Sequence, residues 1–362
     1  MLKLGSIILV GVFAILAVYL QRTIKIVGLF RSTKETGTCE ALNVGFCEKI
    51  VEFDSKIYGF CSSFSKKAEY YPTLHLGSDP VNQQDSFYVY DGEIKLITVN
   101  FDKGLLVNGF EMKRIGKKVV VMATNVYNMT IEKFVLEKDA LTHQKTIKSE
   151  LFHALDDISI VDDNRVVVTN DHSVHAATNL FYRAIEDIFS LPNGNVLLIT
   201  NDKVEIIIPH LPNANELLLK QEEVLQLWVT SPSEGTIFRY NFNPDEGDYS
   251  VIDKIALDFP PDNLSIGDKG QVYIAGMVKA HNLLPAILKW RSNDMDGYFK
   301  SDLRSQIVEI KNETSQAQFF GNLFSKKVLV QQTNLHFSTG AIQYKNGFIV
   351  SGFNALMYCT TK

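Results

Sequence analysis

The sequence predicts an all-β fold, a six-bladed β-propeller, from three observations. Short segments rich in valine, isoleucine, tyrosine and phenylalanine follow one another through most of the chain, and turn residues separate them. Helical patterns are few. The region after residue 37 is too long for one β-sandwich, whereas its roughly 320 residues, divided by six, give about 53 residues for each four-stranded blade.

The strand patterns run from "KIYGFCSSF" near the start to "ALMYCT" at the end, and include "KVVVMATNV", "NRVVVTND", "LQLWVTS" and "AILKW". Turn signals such as Asp91-Gly92 and Asn193-Gly194 stand between them. The best helical candidate is "NLFYRAIEDIFS", residues 179–190. Exact repeats are not visible, so the propeller prediction depends on the number and spacing of the strands.

The N-terminus predicts a membrane anchor. Residues 4–20, "LGSIILVGVFAILAVYL", contain no charge, which is the short limit for a membrane-spanning helix. A cleavable secretory signal is the competing interpretation, but Ala14 and Ala17 are followed by a poor cleavage site. We therefore expect a cytosolic tail at 1–3, a signal-anchor helix at 4–21, a linker at 22–36 and a lumenal propeller at 37–362.

The sequence features that indicate the orientation of this anchor conflict with one another. Lys3 precedes the span and four basic residues follow it, which favours a cytosolic C-terminal side. The glycosylation sequons at Asn128 and Asn312 favour the lumen, as does the placement of the first and last cysteines, Cys39 and Cys359. A disulfide between these cysteines would close a ring of blades and requires an oxidising compartment.

Buried free thiols are the alternative to that disulfide, and the sequence leaves open whether Cys47 and Cys61 pair. We expect a single-pass type II protein of the endoplasmic reticulum membrane or the plasma membrane, with a lumenal or extracellular C-terminal domain. The net charge of −5 provides no basic surface for nucleic acid.

Acids and amides recur beside apolar strand patterns. They are Glu48, Asp156, Asp157, Asn215, Asp262 and Asn263. The inner strands of a propeller converge on a central channel, so side chains far apart in sequence can meet there. Carboxylate and amide oxygens are the ligands of a hard cation, of which calcium is the best candidate. For each of these residues taken alone, an ordinary position in a turn is the alternative interpretation.

The segment "KTIKSELFHALDDISIVDDNRVVVTNDHSV", together with "NANELLL", "PPDNLSI" and "ALMYC", resembles the paraoxonase family of calcium-dependent arylesterases and lactonases. This resemblance implies a six-bladed propeller with two calcium ions in its tunnel and a disulfide between Cys39 and Cys359. It also implies one set of calcium ligands, namely Glu48, Asp156, Asn215, Asp262 and Asn263. Asp156 stands where the family has asparagine.

The resemblance also shows departures from the family. Lys49 stands where the family has an acidic ligand of its second calcium, and Asp157 and Leu105 are the other members of that site. We therefore expect one calcium ion, with the Lys49 ammonium in place of the second and paired with Asp157. A solvated Lys49 is the alternative.

The positions of the family's active-site histidines hold Lys103 and Thr124, or Asn125 if the alignment gap moves, and the third falls near Met277. Threonine and methionine cannot act as a general base near neutral pH, and lysine can do so only if burial lowers its pKa strongly. Calcium binding with weak or absent hydrolysis is the expectation.

Three functions are compatible with these residues. The first is a non-catalytic calcium-binding chaperone for degenerin/epithelial-type sodium channels in the endoplasmic reticulum, as implied by a resemblance to nematode paraoxonase-like membrane proteins. The second is a calcium-dependent hydrolase of lactones or aryl esters. The third is a lectin-like or lipid-binding propeller with a structural calcium ion.

Overall fold

The computed structural model describes residues 34–62, 84–174, 179–282, 301–312, 324–353 and 355–361, with a few residues between 20 and 31 and between 285 and 297. Most of the described residues lie in strands, which confirms the all-β prediction. In chain order the strands are β1 (Thr38–Ala41), β2 (Phe46–Phe53), β3 (Lys56–Ser62), β4 (Ser86–Tyr90), β5 (Ile94–Asn100), β6 (Val107–Ile115), β7 (Lys118–Asn125), β8 (Thr130–Glu137), β9 (Ala140–Ile147), β10 (Leu155–Ile160), β11 (Arg165–Asn170), β12 (Gly194–Thr200), β13 (Lys203–Leu211), β14 (Leu217–Gln221), β15 (Leu225–Ser231), β16 (Thr236–Asn243), β17 (Asp248–Ala256), β18 (Pro261–Ile266), β19 (Val272–Met277), β20 (Arg304–Asn312), β21 (Phe324–His336), β22 (Ser338–Tyr344), β23 (Gly347–Gly352) and β24 (Ala355–Thr360).

Among the described residues these strands form four four-stranded antiparallel sheets and one eight-stranded sheet. Three sheets take their strands in chain order, β10 to β13, β14 to β17 and β18 to β21. A fourth has the order β1-β24-β23-β22. An eight-stranded sheet, β2-β3-β4-β5-β9-β8-β7-β6, consists of two such groups joined by parallel pairing of β5 with β9.

The first strand of each group lies at an edge of its sheet and faces its counterparts. These inner strands are β2, β6, β10, β14, β18 and β22. Each contacts the next, and β22 contacts β2, so they surround a common axis. This arrangement is propeller-like, and it brings six strands from the whole length of the chain to one channel.

Apolar layers between neighbouring groups form the core. Val167 and Leu198 pack against Leu227 and Phe238, for example, where the sheet of β10 to β13 meets that of β14 to β17. A comparable layer joins β18–β21 to β22–β24, and another joins β22–β24 to β2 and β3. The strands therefore bury side chains on both faces, which explains why their apolar runs are nearly continuous.

Strand β1 closes this arrangement, because it pairs with β24 at the other end of the chain. Cys39 and Cys359 are direct cross-strand partners and form a disulfide over a sequence separation of 320. The predicted closing disulfide is confirmed. Cys47 and Cys61, left open by the sequence, form a second disulfide between β2 and β3.

The structure does not support the predicted membrane anchor, and the type II localisation that depends on it is wrong. Among the residues that the structure describes, no helix is long and apolar enough to cross a membrane. The described helical residues of the predicted span are Leu20 and Gln21, and the helical stretch at Thr23–Ile26 is followed by a turn at Gly28, where φ is +70°. Residues 4–19 of the predicted span lie outside the described residues.

The predicted helix is present as α1 (Leu180–Phe189), and a 3₁₀ helix, η1, spans Ala280–Asn282. Asn179 caps α1, since its side chain accepts the backbone N–H of Tyr182 at 3.0 Å. The sequon residue Asn128 is exposed in the turn between β7 and β8, and Asn312 ends β20. Glycosylation of these residues and the predicted domain boundaries remain predictions.

Candidate functional site

The inner strands share an irregularity where they enter the channel. On β2, β6, β10 and β18 the pairing register shifts, so that two consecutive residues face one residue of the neighbouring strand. Thr230 likewise bonds both Asn215 and Glu216 just before β14, and β22 shifts between Ser338 and Gly340. Such bulges re-aim side chains. The residue pairs are Glu48–Lys49, Asn108–Gly109, Asp156–Asp157, Asn215–Glu216, Asp262–Asn263 and Thr339–Gly340.

Threonine hydroxyls support three of these bulges. In each case the hydroxyl, on the strand next to the inner strand, accepts the backbone N–H of the second residue of the pair. The contacts are Thr124 with Gly109 at 2.9 Å, Thr169 with Asp157 at 2.9 Å and Thr230 with Glu216 at 3.0 Å. The sequence carries a signal for these contacts, because each threonine is followed by Asn or Ser at the end of its strand.

The first residues of these pairs bring three acids together. Glu48, Asp156 and Asp262, here called the carboxylate layer, are all buried. Asn108 Nδ2 donates to Asp156 Oδ1 at 3.2 Å, and Asn263 Nδ2 donates to the backbone carbonyl of Glu48 at 2.9 Å. Side-chain hydrogen bonds therefore join β6 to β10 and β18 to β2 where these strands enter the channel. Asn108 was not predicted from the sequence.

The charges of the carboxylate layer repel one another. Burial, followed by the charges of Asp171 and Glu48, raises the pKa of Asp156 well above its ordinary value. Burial, followed by Glu48 and Asp156, does the same to the pKa of Asp262. A cation among these groups would favour their ionised forms.

The donor chemistry of this region suits calcium. Asn215, a predicted ligand, has a buried Oδ1 that accepts no hydrogen bond from any described residue. Carboxylate and amide oxygens are calcium ligands. Among the described residues, however, no group of three or more histidine, cysteine, aspartate and glutamate side chains could hold a metal ion. A calcium site here would therefore have to include amide oxygens.

The second residues of the pairs form a lysine cluster, defined as Lys49, Asp157 and Glu216. Lys49 Nζ lies 2.6 and 2.7 Å from the two carboxylate oxygens of Asp157 and 2.9 Å from Glu216 Oε1. The predicted pair of Lys49 with Asp157 is thus present, whereas Glu216 was not predicted. Leu105, the third predicted member, is buried, and its carbonyl accepts the backbone N–H of Asp85 at 2.9 Å.

Burial strengthens the charge–charge interactions within the lysine cluster. Burial lowers the pKa of Lys49, but the carboxylates of Asp157, Glu216 and Glu111 outweigh it, and the net direction is upward. Burial and the charge of Asp157 raise the pKa of Glu216, while Lys49 opposes them. Lys49 is therefore protonated near neutral pH.

His172 connects β11 to helix α1. Its Nδ1 lies 3.0 Å from Asp171 Oδ1 and its Nε2 lies 2.9 Å from Asp187 Oδ1, while Arg183 of α1 also donates to Asp171. Burial lowers the pKa of His172, but the two carboxylates outweigh it and raise the pKa to about 9. His172 is protonated near neutral pH, which makes it a poor general base.

We expect stability to fall at alkaline pH because of His172. Its pKa rises from about 6.5 in the unfolded chain to about 9 in the folded protein, so its contribution is fully present below pH 6.5 and is lost as pH rises through 9. Its side chain is only 3% exposed, and the loss amounts to about 3 kcal/mol. Urea unfolding between pH 6 and 10 measures it. His172→Gln should remove this dependence, and parallel pH curves for both proteins would contradict the assignment.

A sequence model of the family described as Arylesterase matches residues 104–288, half of the chain. The chain belongs to the arylesterase family. Its curated relatives include serum paraoxonase/lactonase 3 of Rattus norvegicus, 24% identical over 234 residues that cover 64% of this chain and 60% of the relative. The same protein of Oryctolagus cuniculus is 23% identical over 230 residues, which cover 63% and 60%. The chain thus matches 60% of the length of each relative.

Solved structures resemble this arylesterase-family chain in fold. A luciferin-regenerating enzyme superposes with a TM-score of 0.51 at 11% identity, covering 90% of this chain and 95% of that chain. A gluconolactonase of Xanthomonas campestris superposes with a TM-score of 0.50 at 10% identity, covering 89% of each. At such identities the likeness shows the fold alone.

The three residues predicted to replace the histidines of the arylesterase family differ in burial and in contacts. Lys103 is exposed, and Met277 is buried at the end of β19. Thr124 supports the β6 bulge and also donates to the backbone carbonyl of Asp156 at 2.8 Å. Its hydroxyl is therefore used in holding Gly109 and Asp156 in place.

Proposed function

We propose that this arylesterase-family chain binds one calcium ion at the carboxylate layer and hydrolyses lactones or aryl esters there. The family is known as calcium-dependent, and two relatives carry the name paraoxonase/lactonase. The observation that carries the proposal is the meeting of Glu48, Asp156 and Asp262 from three inner strands. The predicted ligands Asn215 and Asn263 add amide oxygens to this set.

Bound calcium would supply a Lewis acid that polarises an ester carbonyl. The chain's own residues have two tasks. Glu48, Asp156 and Asp262, together with the amide oxygens of Asn215 and Asn263, would hold the ion, and the burial of the three acids keeps water from screening their charges. Asn108 and Thr124 fix Asp156 through its side chain and its backbone, respectively.

We expect calcium titration by calorimetry to show one strong site in the wild type at the carboxylate layer. Asp262→Ala removes one of its three carboxylates and should weaken calcium binding by at least about 100-fold. Asp248→Ala, which changes an exposed aspartate at the start of β17, is the matched control and should bind as the wild type does. A wild-type chain that binds no calcium would refute the site.

A lactone and aryl ester panel then tests hydrolysis. Activity that is lost both in chelator and in Asp262→Ala would support the enzyme. Retained activity in both conditions would mean that the hydrolysis does not use this site.

The second candidate function is a non-catalytic chaperone of degenerin/epithelial-type sodium channel subunits. It is favoured by Lys103, Thr124 and Met277, which stand at the positions of the family's active-site histidines. On this proposal calcium stabilises the fold, and no hydrolysis is needed. A calcium-binding wild type that is inactive on the panel, yet raises the surface level of a co-expressed channel subunit, would support it. An unchanged surface level would exclude it.

We also propose that the fold is a six-bladed propeller. Six inner strands surround the channel, and each lies at the edge of its own group of four strands. One inner strand per group gives six blades. The recurrence of the bulge on these strands supports it independently, because equivalent strands of successive blades should enter the channel in the same way.

A further inference from the structure

The bulge on β2 faces a residue unlike those opposite the bulges of β6, β10 and β14. The pairing of β3 with β2 stops at Cys61 and resumes at Gly59, which leaves Phe60 opposite the bulge. On β7 the corresponding residue is Thr124, whose hydroxyl accepts the backbone N–H of Gly109. Phenylalanine has no hydroxyl. The β2 bulge therefore needs a different support.

The asparagines that follow two of the supporting threonines also bind the inner strands. Asn125 Oδ1 accepts the backbone N–H of Leu106 at 3.2 Å, and Asn170 Oδ1 accepts that of Ala154 at 3.2 Å. Cys61 occupies the equivalent position on β3, because all three residues pair with the inner strand directly before its bulge. A disulfide to β2 thus stands where β7 and β11 use hydrogen-bonding side chains.

The backbone around Glu48 is also tied to the neighbouring inner strands. The carbonyl of Cys47 accepts the hydroxyls of Thr339, at 3.3 Å, and of Ser351. The carbonyl of Glu48 accepts Asn263 Nδ2 at 2.9 Å. These contacts fix β2 relative to β18 and β22, whereas the buried disulfide fixes β2 to β3, one residue before Glu48.

We propose that Cys47 and Cys61 are positioning residues of the carboxylate layer. Their disulfide holds the β2 bulge so that the Glu48 carboxylate stays beside those of Asp156 and Asp262. This inference rests on the proposed calcium site. A residue that orients a metal ligand affects metal affinity without touching the metal, and its loss lowers that affinity by about 10- to 100-fold.

Calorimetric calcium titration of C47A/C61A tests the proposal, because alanine removes the cross-link without adding a polar group to the buried site. We expect one calcium site, as in the wild type, with an affinity at least about 10-fold weaker. C39S/C359S is the matched control, since it removes the other cross-strand disulfide, between β1 and β24. It should lose more stability and bind calcium as the wild type does.

Two results would overturn the proposal. One is wild-type calcium affinity in C47A/C61A, and the other is an equal loss of affinity in the two double variants, which would mean that affinity follows overall stability. If C47A/C61A does not fold, C47V/C61V decides by the same titration, because a β-branched pair refills the buried volume without a cross-link. Wild-type affinity in that variant would also contradict the assignment.

Amide hydrogen exchange without calcium separates this proposal from the proposed function. Residues of β2 should exchange faster in C47A/C61A than in the wild type, while those of β10 keep their protection. A wild type that binds no calcium would refute the proposed function, and the exchange of β2 would still decide whether the disulfide holds the bulge. Unchanged exchange in β2 would show that it does not.

Discussion

Replacing Cys39 and Cys359 together by serine should lower the free energy of unfolding by about 5 kcal/mol. In the chain-entropy model, a cross-link restricts the unfolded chain more strongly as the closed loop grows, and this disulfide spans a sequence separation of 320. It also ties β1 to β24, the pair that closes the ring. Urea unfolding of the double variant and the wild type, at equal protein concentration, measures the difference.

The second disulfide supplies the control. Cys47 and Cys61 are separated by only 14 positions, so replacing both by serine should lower stability by about 3 kcal/mol. The order of the two losses is the test. A larger loss at Cys47 and Cys61 would mean that local packing around β2, and not ring closure, dominates.

Gly109→Ala should destabilise the protein by at least about 3 kcal/mol, because a methyl group has no room there. The added Cβ would overlap the Cα and Oδ1 atoms of Asp157 and would lie 2.7 Å from the carbonyl oxygen of Asp156. Most of these are backbone atoms that cannot rotate away. Displacing Asp157 would also break its pair with Lys49. Thermal and urea unfolding measure this loss.

Gly340→Ala is the equivalent substitution in the β22 bulge. There the nearest atoms to an added Cβ are 3.6 Å away, in ordinary van der Waals contact. We expect a change within about 0.5 kcal/mol, as for substitutions away from special features. Equal effects at the two glycines would mean that the crowding at Gly109 is relieved by movement of the chain.

Local features of the sequence predicted much of the fold. Alternating and continuous apolar runs bounded by turn residues mark strands wherever they occur, and helix α1 has a capping Asn179 at its start. The strand predicted at "AILKW" was wrong, since Ala286 and Lys289 are helical. Pro285 stands directly before it, and proline favours the first turn of a helix. The predicted anchor relied on the uncharged run at residues 4–20 and on the poor cleavage site within it, and the described helices do not support it.

The candidate site was predicted only in part. Glu48, Asp156 and Asp262 could be found because each is an acid beside a strand pattern. Glu216 could not be distinguished from an ordinary acid, since its contact with Lys49 depends on how distant strands are placed around the channel. The bulges were also missed, because one extra residue in a strand leaves composition and periodicity almost unchanged. The role of Thr124 was missed with them, because its hydroxyl binds the backbone of the β6 bulge.

Pairing of β1 with β24 also has a consequence for biosynthesis. The partner of β1 is made last, so a ribosome must synthesise nearly all of the other strands before the ring can shut. Until then β1 and the open edge of the last sheet present unpaired backbone groups to other nascent chains. Closure is therefore a late step, and Cys39 should remain available to oxidising folding enzymes until Cys359 has emerged.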